Sequence, residues 1–312
     1  MNIETINKSF DCTENANLSL SNIRGKVNIQ PGENNIITIK AEKLLDSGNP
    51  EHTVIELFQE DNGKVTAQTR FDNSSFQIFR KFKPCKVNYD VRVPNNCFLK
   101  VRGVSNTANI VGITGEFDIS TVSGDIQIRS LNGSLKLKTV SGDVQGEDIN
   151  ATARIEAVSG DIHLNKCNFP RLSGKTVSGD LILESPLGEG PYRFNAVSGD
   201  IKLEITPLAG ASVTCASLSG DIRTSLPATW SNRSRNHQKV EVNGGGVEIH
   251  HKSVSGDLFL TTADENGDSG ELPPPEAAQA NQLSHTEILD SIERGEMSVD
   301  QAVGIIEKVN GS

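Results

Sequence analysis

Apolar and polar residues alternate along most of this chain, and glycine interrupts the alternation at short intervals. In Val122-Ser-Gly-Asp-Ile-Gln-Ile-Arg-Ser130, Ile126 and Ile128 fall on one face and Gln127 and Arg129 on the other. In Leu131-Asn-Gly-Ser-Leu-Lys-Leu-Lys-Thr139, Leu135 and Leu137 oppose Lys136 and Lys138 in the same way. A period of two is that of a β-strand with one buried side. Each stretch of nine reads apolar, x, Gly, x, then a short strand, and two stretches make one unit of 18 residues.

The unit repeats. Val-Ser-Gly-Asp ends on Asp125, Asp143, Asp161, Asp180 and Asp200, a Leu-Ser-Gly-Asp variant ends on Asp221, and a last Val-Ser-Gly-Asp ends on Asp257, at spacings of 18, 18, 19, 20, 21 and 36. Val104-Ser105-Asn106-Thr107 is a degraded first copy, and the 36-residue gap is expected to hold one divergent coil around Val242-Asn-Gly-Gly-Gly-Val247. Strand, glycine corner, strand and corner, stacked with one inward pattern, predict an all-β fold: a parallel β-solenoid of about 18 residues per coil over 104–262. The corner glycines Gly124, Gly142, Gly160, Gly179, Gly199, Gly220 and Gly256 are expected at positive φ. Lengthening units add residues on one side, in Pro186–Pro191 and Pro207–Gly210, where repeat proteins often carry their binding face.

Outside the array the pattern changes twice. Residues 1–103 alternate as strands over Ala16 to Lys40, Val54 to Thr69 and Val87 to Val93, a β-rich part that continues or caps the solenoid. Residues 263–283, polar and rich in proline, read as a disordered linker. Residues 284–312 turn helical: Ser284-His-Thr-Glu287 is a capping box, Gly295 a stop, and Ser298 starts a second helix. Helices this short need each other and a partner surface, so Ile288, Ile292, Val303 and Ile306 are candidate contacts.

The N-terminal strands, the strand ending in Val93-Pro94 and the Val-Ser-Gly-Asp-Ile ladder resemble the bacterial putative adhesin domain, a β-strand-repeat family of undefined function, over roughly residues 10 to 262. The resemblance implies a right-handed solenoid, no catalytic residues, and a role in adhesion or stress sensing at or near the cell envelope. The C-terminal hairpin resembles short helical modules that mediate oligomerisation, so a homo-oligomer joined through the hairpin or the solenoid ends is expected.

Composition narrows the function classes. A net charge of −10, from 40 acidic and 30 basic residues, opposes nucleic-acid binding. One Trp and two Tyr give few stacking platforms for a carbohydrate-active β-helix enzyme, which stands as an alternative beside a self-assembling filament. Cys12, Cys85, Cys97, Cys167 and Cys215 are scattered singly and read as reduced, mostly buried thiols. The start carries no basic segment before an apolar one, and no apolar run of about 18 residues occurs, so the cytoplasm is the expected location, with envelope association through a partner.

The repeated side chains bear the candidate chemistry. Asp125, Asp143, Asp161, Asp180, Asp200, Asp221 and Asp257 stack as a ladder that can offer carboxylates to calcium, but alternate corners carry Ser134 or Glu116 where calcium repeats carry glycine and aspartate, so turn-bonding is the favoured role. The serines beside them read as turn residues rather than nucleophiles. His250 and His251 face opposite sides of a strand and are expected to be exposed. No cofactor is implied. The divergent stretch holding Trp230, Arg233 and Arg235 is a candidate surface for a protein or glycan partner, weighed evenly against a Trp packed on the solenoid.

Overall fold

The alternating stretches fold into strands, and the described residues are all-β apart from one 3-10 turn at Leu45–Ser47. The computed structural model describes residues 2–12, 16–71, 83–234 and 236–262. The expected linker, the helical hairpin with Ile288, Ile292, Val303 and Ile306, and Arg235 lie outside the described residues. The chain divides into two compact units, Met1–Ile155 and Glu156–Ser312.

The first unit contains β1 (Ile3–Asp11), β2 (Ala16–Pro31), β3 (Ile36–Leu44), β4 (Thr53–Gln59), β5 (Val65–Phe71), β6 (Lys86–Val93), β7 (Cys97–Val111), β8 (Thr114–Thr121), β9 (Ile126–Thr139) and most of β10 (Val144–Ala157). Coils stack in parallel, with Leu99 opposite Phe117, Ala108 opposite Ile126 and Thr121 opposite Thr139. The first coil is β2, whose Ala16 faces Cys97 and whose Ile29 faces Ile110, so the parallel stack starts well before residue 104. Between β2 and β7 the chain leaves the stack to build a cover. There β5 and β6 lie parallel on the two halves of β2 and pass to antiparallel partners, β4 on β5, β3 on β6 and β1 on β3. Leu18, Leu20, Val27, Ile29, Leu99 and Ile110 are buried between these layers. A polar cluster fixes the seam: Asn22 Nδ2 donates to the Val87 carbonyl at 2.8 Å and Thr69 Oγ1 to Asn22 Oδ1 at 3.1 Å. Burial there pushes the Tyr89 phenol, 2.9 Å from Thr69 Oγ1, up to about 12.

The second unit holds β11 (Ile162–Asn165), β12 (Leu172–Thr176), β13 (Leu181–Glu184), β14 (Tyr192–Ala196), β15 (Ile201–Ile205), β16 (Ala211–Ser217), β17 (Ile222–Thr224), β18 (Ala228–Arg233), β19 (His237–Val242), β20 (Val247–Ser253) and β21 (Leu258–Thr262). Its coils do not stack in chain order. Ile249 of β20 faces both Tyr192 of β14 and Val213 of β16, and Leu258 of β21 faces both Ile201 of β15 and Ile222 of β17. The last Val-Ser-Gly-Asp repeat is therefore inserted between the two repeats that precede it.

The 36-residue gap is not a divergent coil. It holds an antiparallel hairpin, β18 on β19, with β19 also antiparallel to β16. Asn243, Gly244, Gly245 and Gly246 have φ of 49°, 83°, 87° and 154°, four successive left-handed residues that carry the chain from one side of β16 to the other. Glycine enters that region freely and asparagine more readily than most residues.

The expectation of positive φ at the Val-Ser-Gly-Asp glycines is also corrected, since Gly124, Gly142, Gly160, Gly179, Gly199, Gly220 and Gly256 all lie outside that region. Space is the reason for glycine there. A Cβ on Gly142 would sit 2.1 Å from the Gly124 carbonyl oxygen, and one on Gly256 would sit 2.2 Å from that of Gly199. Positive φ belongs to the opposite corners, Gly115 at 140° and Gly133 at 135°.

Candidate functional site

The repeated polar side chains bind one coil to the next. Ser123 Oγ and Ser141 Oγ donate to the Val104 and Val122 carbonyls at 3.0 and 3.1 Å, and Ser178, Ser198, Ser219 and Ser255 repeat this bond in the second unit. Within each unit an aspartate accepts a neighbouring aspartate's backbone N–H: Asp143 N to Asp125 Oδ1 at 3.3 Å in the first, and Asp180 to Asp161 and Asp200 to Asp180 at 2.9 Å in the second. The ladder follows the spatial order, Asp257 on Asp200 and Asp221 on Asp257, both at 2.8 Å. Arg223 pairs with Asp257 at 3.0 Å. The carboxylates thus act as turn acceptors, and among the described residues no group of three or more His, Cys, Asp or Glu side chains is placed to hold a metal.

Gln238 ends this ladder. Its Nε2 donates to Asp221 Oδ1 at 2.6 Å, where the next aspartate N–H would be, and its Oε1 accepts the Ile222 N–H at 3.0 Å, where the next aspartate carbonyl would be. A side-chain amide replaces the peptide group of an absent coil. Gln238→Leu should destabilise the second unit by about 2 kcal/mol, because it leaves a buried N–H unsatisfied. Urea unfolding measures this, and an unchanged midpoint would mean that solvent replaces the amide.

The two histidines differ from expectation. They do face opposite sides, but His251 is buried, 1% exposed, with Nε2 3.1 Å from the Gly256 carbonyl, while His250 is half-buried at 3.5 Å from Glu248. His251 lies in phase with Ile249, and the inward pattern of β20 overrides its polarity. None of the five cysteines is in a disulfide; four are buried, and burial pushes the Cys97 and Cys215 thiols up to about 12.

The first unit has an open cleft of about 500 Å³ lined by Arg24, Lys26, Lys86, Asn88, Ser105 and Asp125, among others. It lies where the ladder begins. Register places Arg24-Gly25-Lys26 of the first coil against Ser105-Asn106-Thr107 of the second. Gly25 has φ 123°, and a Cβ there would sit 2.1 Å from the Val87 carbonyl oxygen, so the cover packs directly on this corner. Arg24 Nη1 donates to the Pro84 carbonyl at 2.8 Å, and the Lys26 N–H to Asn88 Oδ1 at 3.1 Å. Neither lysine is ion-paired among the described residues. Sequence reasoning missed this set. Its one signal is the corner pattern Ile23-Arg24-Gly25-Lys26-Val27, which keeps the repeat's glycine and loses its serine and aspartate.

The Toastrack DUF4097 family profile matches residues 15–261, most of the chain. The chain belongs to the Toastrack family. The resemblance drawn over residues 10 to 262 is to this same kind of β-strand-repeat domain. Solved structures similar to this Toastrack chain include a "putative adhesin" from Parabacteroides merdae, 11% identical, covering 82% of this chain and 96% of that one with a TM-score of 0.47. A "putative adhesin" from Bacteroides fragilis is 15% identical, with coverages of 82% and 97% and a TM-score of 0.46. A "putative lipid binding protein" from Parabacteroides distasonis is 12% identical, with coverages of 83% and 97% and a TM-score of 0.43. No curated protein matches the sequence.

Trp230 and Arg233 lie on β18 of this Toastrack chain. Strand β18 is exposed along most of its length, and the Arg233 guanidinium lies 4.7 Å from the centre of the half-buried Trp230 ring. A bulge between Trp230 and Asn232 shifts the register at this point. In the first unit a second exposed feature runs beside the cleft, the corner valines Val104, Val122 and Val140.

Proposed function

We propose that this Toastrack protein is a non-enzymatic, adhesin-like binding scaffold that works at the cell envelope and engages a protein or glycan partner through the exposed faces of its coils. One observation carries the reading: the serines and aspartates of the Val-Ser-Gly-Asp corners are engaged in coil-to-coil hydrogen bonds. A serine whose hydroxyl donates to a neighbouring carbonyl, with no histidine base described beside it, is a poor nucleophile. Function then falls to groups that the ladder does not use, the Arg233–Trp230 pair on β18 and the cleft at the first corner. The envelope assignment rests on the adhesin-domain resemblance. A filament grown by end-to-end stacking is disfavoured, because Gln238 and the β18–β19 hairpin occupy the hydrogen-bonding edge that a stacked copy needs at that end of the second unit.

The test is saturable binding of the labelled full chain to isolated envelope fractions. Arg233→Glu should weaken that binding if β18 is the contact, and retained binding places the contact on another face. No saturable binding by the unaltered chain overturns the reading.

A further inference from the structure

We infer that the cleft at the first corner binds an acidic saccharide, its carboxylate held by Arg24, Lys26 and Lys86 and its hydroxyls by Ser105, Thr107 and Asp125. The inference rests on the scaffold reading above and names the ligand for one of its faces.

Charge is the first argument. Three cations and one carboxylate line a single cleft on a chain whose net charge is −10. The cations come from two directions, Arg24 and Lys26 from either side of the corner glycine of β2 and Lys86 from the covering strand β6. Lys26 and Lys86 are exposed and unpaired among the described residues, so a carboxylate between them meets charge that no internal partner has neutralised. Arg24 keeps guanidinium donors beyond the one given to Pro84.

The break in the repeat is the second. Later corners place Ser-Gly-Asp in this column, whereas the first two present Arg24-Gly25-Lys26 and Ser105-Asn106-Thr107. The Ser105 and Thr107 hydroxyls are exposed at the cleft, and Asp125 gives one oxygen to the Asp143 N–H, which leaves the other to accept from a ligand hydroxyl. A lining that mixes cations, hydroxyls and a carboxylate acceptor suits a ligand that is both acidic and hydroxylated. Asp125 would repel a phosphate dianion more strongly than a single carboxylate, and about 500 Å³ exceeds what one phosphate fills. Leu44 alone supplies a large apolar wall, too little for an acyl chain or an apolar peptide side chain.

The experiment titrates the full chain by calorimetry with uronic-acid and sialic-acid oligosaccharides, their carboxyl-reduced counterparts and inorganic phosphate. The expected result is one site for at least one acidic oligosaccharide, with carboxyl reduction, Lys26→Gln or Lys86→Gln each weakening binding about ten-fold. Both lysines are exposed, and thermal unfolding of each variant confirms that the fold is kept. No binding across the acidic panel, equal binding of the reduced sugars, variants that bind as well as the parent, or phosphate binding as tightly as the sugars each overturns the inference. Envelope binding by the unaltered chain, measured in parallel, separates the two readings: if it is saturable while the calorimetric panel shows no acidic-sugar binding, the cleft inference fails and the scaffold reading stands.

Discussion

Gly199→Ala is expected to lower the stability of the second unit by about 3 kcal/mol or more, the upper end of what overpacking costs. The new Cβ would lie 2.2 Å from the Gly179 carbonyl oxygen and 3.1 Å from the Thr176 methyl. Neither neighbour can withdraw easily. The Asp200 N–H on Asp180 and the Asp257 N–H on Asp200 hold the backbones on both sides at 2.9 and 2.8 Å. Moving one corner strains the column, because Gly256 packs on the Gly199 carbonyl in its turn. Gly63→Ala is the comparison: its φ is 83° but nothing lies within 4 Å of a Cβ there, so only the left-handed penalty of about 1 kcal/mol applies. Urea unfolding of both variants decides the matter. If Gly199→Ala costs no more than Gly63→Ala, close approach is not what selects glycine at these corners.

Stability of the second unit should fall on mild acidification, and His251→Phe should abolish most of that fall. Burial lowers the His251 pKa to about 4, against a smaller opposing effect of the Gly256 carbonyl. Its Nδ1 is buried without a partner, so the neutral ring donates through Nε2 and a second proton has nowhere to bond. The unfolded chain, with an ordinary histidine near pH 6.5, therefore takes up the proton first. The contribution is whole above about pH 6.5 and is lost as the pH falls toward about 4, by about 3 kcal/mol in all. Asp200 works the other way, since burial raises its carboxyl pKa and acid then favours the folded state, so the net fall is the His251 loss less the Asp200 gain. Cys215, opposite His251 in register, stays a neutral thiol throughout. Phenylalanine suits the position beside Phe194, and the Gly256 carbonyl keeps its bond from Ser253 Oγ at 2.7 Å. Denaturant midpoints at pH 7.5 and pH 4.5 test this, and an equal drop in parent and variant would remove His251 as the cause.

The parallel stack was legible because its information is local. Ile126, Ile128, Leu135 and Leu137 announce their inward face by alternation alone, and a residue that recurs every 18 to 21 positions has to stack on its copies. The order of the coils was not. Val254-Ser-Gly-Asp257 presents the same serine, glycine and aspartate to whichever neighbours flank it, so its place between Gly199 and Gly220 leaves no mark on the repeat itself. Nor does the alternation of His237–Val242 distinguish an antiparallel strand from one more coil. At the first corner the difficulty is distance: Lys86 reaches Arg24 and Lys26 only because the cover folds back over β2, a pairing that spans some sixty residues of sequence.

The inserted repeat also bears on how the second unit is made. Strands β14 and β15 emerge from the ribosome long before β20 and β21, yet these are the strands that pair with them. Until Leu258 is available, β14–β15 and β16–β17 lack the strands that separate them in the folded unit. In that interval Ala211–Thr224 can dock directly on Tyr192–Ile205, since both offer the same corner residues, and a chain that does so must separate again before the final strands can enter.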